Sequence, residues 1–179
     1  MGSGSWAGGW LRDPPWSASL GQPIGATVLL LAALAMGCQP MALQPLPAIN
    51  GRIEQAGSSR EPALGDRWLA VIVGQGGRER VELLDLERGL PVPLPGLNRA
   101  DAQPVSVSVA AAGDRLALVR QLEGRTELVL YRRSVASLQL LRIQPEGVPR
   151  RVQLRADGRQ LAVEVSRQGL WQIDLFQLP

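Results

Sequence analysis

Few residues of this chain could do chemistry, and counting them removes most of the usual combinations. Histidine is absent and cysteine occurs once, at position 38. Without imidazole, no serine or cysteine can be activated by a neighbouring histidine, and no histidine-ligated zinc site can form. One thiol makes neither an intrachain disulfide nor a cysteine cluster for zinc or iron–sulfur. Ser106, Ser108, Ser134, Ser137 and Ser166 have no base to take their protons, and none sits in a Gly-x-Ser-x-Gly turn. Gly74-Gln75-Gly76-Gly77 lacks the Gly-Lys-Ser/Thr ending of a phosphate-binding loop and reads as a turn. Asp66, Asp85, Asp114, Asp157 and Asp174 are scattered, most of them at repeat-related turns or strand ends, with no calcium-type Asp-x-Asp-x-Asp-Gly loop. Structural roles are expected for them, with Asp85 and Asp174 accepting from turn amides. The expectation is a chain that is not an enzyme, takes no metal or cofactor, and acts by binding.

All 19 basic residues are arginine, yet the formal net charge is only +3. A nucleic-acid binder of this size would carry a denser basic stripe with aromatic partners, so no nucleic-acid partner is expected. The nearest thing to a basic patch is Arg150-Arg151 with Arg155 and Arg159, after Arg132-Arg133. Arg150, Arg151 and Arg155 are the candidate binding surface, for anionic lipid, polysaccharide or a protein partner. The plainer reading of the same residues is solvated strand faces and turns. Trp68 and Trp171 fall in strand-like runs and are expected to pack between sheets, since aromatics favour half-buried strands.

Two elements must position these residues. The first is the apolar, uncharged run Ile24 to Met36, 13 residues long. That is short of the ~20 residues a membrane-spanning helix needs, and it fits the apolar core of a secretory signal peptide. Gly37-Cys38 follows at once. The arrangement resembles the lipobox of bacterial lipoproteins, in which a small residue precedes a cysteine that is acylated and becomes the new N-terminus. The resemblance implies lipid attachment at Cys38, export, and a periplasm-facing anchor in the bacterial envelope. Simple cleavage at Ala33-Leu34-Ala35, or an uncleaved interfacial anchor, is the alternative. Residues 38–60, with Pro40, Pro45, Pro47 and the Gly57-Ser58-Ser59 break, read as a tether.

The second element is a threefold repeat over 61–179, with units at 61–101, 102–147 and 148–179. Leu64 to Val71, Ala111 to Leu118 and Ala156 to Val163 align on Leu69, Leu116 and Leu161. A period of about 40–50 residues is the sequence mark of propeller blades. Each unit has an extended run, a Gly/Asp turn, an apolar strand, a second turn and a third strand such as Val81 to Leu86 or Leu170 to Leu175. Units one and two have room for a fourth strand. Unit three ends before one, and 51–55 are a candidate to supply it, as chain ends do in closed propellers.

Ala156-Asp157-Gly158-Arg159-Gln160-Leu161-Ala162-Val163, followed by Gln172-Ile173-Asp174-Leu175, resembles the blade signature of TolB-like and WD-repeat-like β-propellers. The resemblance implies an all-β body of antiparallel, four-stranded, blade-like sheets in about three repeats, a partial propeller after the signal segment. It further implies a periplasmic interaction or scaffolding role with an envelope protein partner, or self-association that completes a ring. The different-class alternative is a ligand- or carbohydrate-binding accessory domain, a remnant of a larger propeller protein. A deep apolar pocket with convergent polar groups would favour that alternative, and a flat exposed sheet the scaffold.

Overall fold

The computed structural model describes residues 42–179, so the signal segment expected at 1–37 and Cys38 lie outside the described residues. Eleven strands form three antiparallel sheets, each taken in chain order. Blade 1 holds β1 (Ser58–Leu64), β2 (Trp68–Gln75), β3 (Arg78–Asp85) and β4 (Leu90–Val92). Blade 2 holds β5 (Ala102–Val109), β6 (Arg115–Leu122), β7 (Arg125–Arg132) and β8 (Ser137–Leu141), with a 3₁₀ turn at Arg133–Val135. Blade 3 has three strands, β9 (Val148–Leu154), β10 (Gln160–Arg167) and β11 (Leu170–Gln177). The all-β, three-blade architecture read from the repeats is the architecture observed.

The turns explain why the chain folds this way. The β2–β3, β6–β7 and β10–β11 hairpins each close through two residues in the left-handed region: Gly76-Gly77, Glu123-Gly124 and Gln168-Gly169. Their positive φ at both positions matches the twist of the flanking strands, the geometry of a type I′ turn. It fixes the register that sets Leu69 opposite Leu84, Leu116 opposite Tyr131 and Leu161 opposite Phe176. The middle strands β2 and β6 read as continuous apolar runs and not as alternating ones, because both of their faces are covered.

Two cores lie between the blades. Trp68, Ala70, Ile72 and Leu83 of blade 1 meet Leu116, Val129 and Tyr131 of blade 2. On the opposite face of blade 2, Ala117, Val119 and Leu130 meet Leu154, Leu161 and Val163 of blade 3. Each fully buried aliphatic or aromatic side chain of this kind contributes about 1.5–3 kcal/mol. The Tyr131 hydroxyl, buried with its ring, donates to the Pro95 carbonyl at 2.9 Å.

One segment departs from the sequence reading. The tether expected over 38–60 is, over 47–56, the helix α1 (Pro47–Ala56), and β1 already begins at Ser58. Pro47 stands in the first helical turn, where a missing N–H costs nothing, and Gly57 ends the helix at φ 107°. Ile49, Ile53 and Ala56, spaced by four and three, are its half-buried positions. Residues 51–55 therefore do not form the fourth strand of blade 3; α1 contacts β1 and β2 of blade 1 instead.

Candidate interaction surface

The aligned turns interlock from blade to blade. Asp66 N–H donates to the Ala111 carbonyl at 3.1 Å, and Ala111 N–H donates to the Ala156 carbonyl at 2.9 Å. The Trp68 indole fills the space over Gly113 so closely that a Cβ there would lie 2.4 Å from the ring, at a φ of +67°. Arg115, the position aligned with Trp68, covers Gly158 of blade 3 in the same way and donates to its carbonyl at 3.0 Å. Gln160 is the aligned position of blade 3. It bonds within its own blade, to Gln177 at 3.1 Å.

Buried polar groups serve one of these joints and the blades themselves. The Ser106 and Ser108 hydroxyls accept from the N–H groups of Val152 and Leu154, at 3.3 and 2.8 Å, satisfying the inner edge of β9. Arg120, 6 % exposed, is held by Glu127 at 3.0 and 3.1 Å, and its Nη1 has no partner among the described residues. Asp85 is buried, pairs with Arg67 at 2.7 Å and accepts the amides of Glu87 and Arg88 at 3.1 and 3.2 Å. Burial alone would raise its pKa, but the Arg88 amide, the Arg67 charge and the Glu87 amide outweigh it and hold the carboxyl below the ordinary range. The turn-amide role expected of Asp85 is thus observed.

Asp174 differs. Its carboxylate pairs with Arg167, and that bond lowers its pKa. The residue does not cap a turn, because it sits mid-strand opposite Val163, whereas Asp85 is the last residue of β3 opposite Trp68. The two Asp-Leu pairs are three residues out of register with one another.

The arginines singled out from the sequence do not form one cationic patch. Arg150 lies 3.6 Å from Glu164 and stacks over the Trp171 ring at 5.1 Å. Arg151 reaches across to Glu61 of blade 1 at 3.4 Å. Arg155 stays at the β9–β10 turn, bonded to Gln160 at 2.8 Å and 3.5 Å from Asp157. Each positive charge has a carboxylate beside it, and the three are directed to different neighbours.

The space between blades is open and shallow. A groove of about 420 Å³ runs along β1, β5 and β9, lined by Glu61, Ala63, Val107, Val109, Arg151 and Gln153. A wider one of about 1180 Å³ lies between the ends of β7 and β8 and the β10–β11 hairpin, with Arg125, Arg142, Pro145, Arg167 and Gln172 on its walls. Neither encloses a ligand in the way a deep apolar pocket would.

The feature that stands out is the far face of blade 3. Trp171, Ile173 and Leu175 project from β11 on one face and are 51, 68 and 79 % exposed. Gln172, Asp174 and Phe176 alternate with them and face the buried Val165, Val163 and Leu161 side of the sheet. The expected burial of Trp171 is therefore corrected, whereas Trp68 is 7 % exposed, as expected. The alternation of β11 is inverted relative to water: its apolar residues face outward because no further blade stacks there among the described residues. The sequence does carry the signal, as Trp-x-Ile-x-Leu at period two, but gives no indication which face has a neighbour.

No known protein family matches the sequence, and no curated protein matches it. Solved structures do match. TolB from Acinetobacter baumannii superposes with a TM-score of 0.52 at 14 % identity over 66 % of this chain and 29 % of its own. A protein of Agrobacterium tumefaciens assigned as TolB superposes with a TM-score of 0.55 at 8 % identity, over 67 % of this chain and 46 % of its own. The fold is a TolB-like β-propeller fold, and the chain spans less than half the length of either structure.

Proposed function

We propose that this chain is an envelope-anchored, non-catalytic interaction module, exported by its N-terminal segment, held to the membrane by lipid at Cys38, and docking protein through blade 3. The observation that carries the reading is the exposed Trp171-Ile173-Leu175 face. Single exposed apolar residues are ordinary on any surface, but three along one edge strand, Trp171, Ile173 and Leu175 beside Ala162, Glu164 and Ser166 of β10, mark a protein contact. The buried polar groups are already engaged within the protein, Ser106 and Ser108 across the joint of blades 2 and 3, Arg120 and Asp85 within their own blades. The scaffold reading is preferred to the carbohydrate-binding one for that reason. The TolB-like fold supports a periplasmic role by analogy of fold.

Anchoring rests on Cys38 directly after the apolar run. Acyl chains contribute about 0.8 kcal/mol per buried CH₂, so several give stable attachment. Palmitate labelling of cells carrying the chain, or its Cys38→Ser variant, tests this: label in the first and none in the second is expected, and equal label in both would end the claim. Crosslinking in intact cells, with and without Ile173→Lys, tests the docking face. Products that persist unchanged in the variant would remove blade 3 from the interaction.

A further inference from the structure

The occupant of the blade 3 face can be narrowed from the structure. We infer that it is a second copy of this chain, packed blade 3 against blade 3 about a twofold axis. This rests on the reading of blade 3 as a docking face and names its partner.

Three observations lead there. The first is how the chain already covers its sheets. Blades 1 and 2 pack face to face through Trp68, Ile72 and Tyr131, and blades 2 and 3 through Leu130, Leu154 and Val163. A face with Trp171, Ile173 and Leu175 along β11, beside Ala162, Glu164 and Ser166 of β10, is matched by another sheet of this type, about 10 Å away as in any sheet sandwich.

The second is charge. Each cation on this face has an anion beside it: Arg150 lies over Trp171 and 3.6 Å from Glu164, and Arg151 lies 3.4 Å from Glu61 of blade 1. A patch whose charges already balance can meet its own copy without like-charge repulsion, which an isologous contact requires.

The third is the opposite end of the stack. Head-to-tail association would set blade 3 on the far face of blade 1. That face is already closed: Leu69, Val71, Val73 and Leu84 are all buried. An open head-to-tail series is therefore blocked, and the symmetric pairing of two blade 3 faces is left.

The size of the contact sets its strength. Three strands of about eight residues, spaced ~4.8 Å with a rise of ~3.4 Å per residue, project about 400 Å². Stable interfaces bury about 800 Å² per partner, so this contact belongs to the weak, concentration-dependent class.

Sedimentation velocity on the purified full-length chain, from 1 to 200 µM, tests the proposal, with Ile173→Lys on blade 3 and Leu140→Lys on blade 2 as the comparison pair. A monomer–dimer equilibrium is expected, weakened at least tenfold by Ile173→Lys and unchanged by Leu140→Lys; Ile173 and Leu140 are both exposed, so neither change threatens folding. Oxidation of Ile173→Cys in the Cys38→Ser background should give a disulfide-linked dimer, and Leu140→Cys in the same background should not. Species larger than a dimer in sedimentation would mean head-to-tail contact and overturn the proposal, as would a dimer indifferent to Ile173→Lys. A wild-type monomer at every concentration also overturns it. Hydrogen exchange of β11 then tells the alternatives apart: protection in the monomer means another segment of the same chain covers blade 3, and full exchange leaves the face to a different protein. Only crosslinked products in cells that persist unchanged in Ile173→Lys would sink the docking reading itself.

Discussion

Blade 1 and blade 3 descend from one sequence repeat and use the same two-residue hairpin, yet they finish the stack in different ways. Blade 1 has four strands, both faces buried, and α1 against β1 and β2. Even the outer edge of β3 is tended: beyond the short β4, the Asn98 carboxamide accepts from Val81 N–H and donates to Val81 C=O, both at 2.8 Å. Blade 3 has three strands, and its second face is open, apolar along β11 and polar at Glu164 and Ser166 of β10. The repeat unit itself does not dictate which surface is wet. A sheet with two apolar faces is stable in a stack only where something covers each one, which is why repeat arrays need distinct ends.

This contrast can be broken by substitution. The largest effect is expected at the joint of blades 1 and 2, where Tyr131→Ala empties a fully buried site and should cost about 3–5 kcal/mol in urea unfolding, as large aromatic truncations do. The matching truncation on the open face, Leu175→Ala, should change stability by less than about 0.5 kcal/mol. Comparable costs at the two sites would mean that the far face of blade 3 is covered in the folded monomer.

A smaller effect is expected at the joint of blades 2 and 3. Ser108→Ala leaves the buried Leu154 N–H, now bonded at 2.8 Å, without a partner, at a cost of about 1–2 kcal/mol. Hydrogen exchange at the Leu154 amide should accelerate while amides of β2 and β3 are unaffected. Equal acceleration in blade 1 would show that the stack opens as one unit.

The mildest test is acid. Asp85 in blade 1 has its pKa held below the unfolded value of about 3.9. Its ionised form favours the fold, so that support is complete above the unfolded pKa and is lost as pH falls through the lower, folded one. Asp85→Asn should therefore flatten the fall in stability between neutral pH and pH 3. An unaltered slope would show that the Arg67 and turn-amide contacts do not stabilise the ionised carboxylate.

The repeat core was legible because turn chemistry is local. Glycines beside aspartate, of which Gly113 and Gly158 adopt positive φ and Gly65 does not, followed by Leu69, Leu116 and Leu161, located the three middle strands from residue types alone. What could not be read depended on neighbours distant in sequence. Pro47 in the first turn of α1 looked like a breaker, since proline signals both a tether and a helix start. Asp174 looked equivalent to Asp85 until the register showed it opposite Val163. Trp171 satisfied the pattern for a buried strand residue, and only the observed stacking reveals that no blade among the described residues covers its side of the sheet. The candidate arginines were similarly undecidable, because Glu61, the partner of Arg151, lies 90 residues away in sequence.

The bonds from Asp66 to Ala111 and from Ala111 to Ala156 run from each turn to the next and never skip one. Such a chain of links behaves like a row of dominoes: these backbone bonds pass cooperativity between adjacent units, with the exposed Arg151–Glu61 pair as a further tie from the third unit to the first, so blade 3 is the unit whose loosening disturbs the others least. Blade 3 is then expected to open before blades 1 and 2 do.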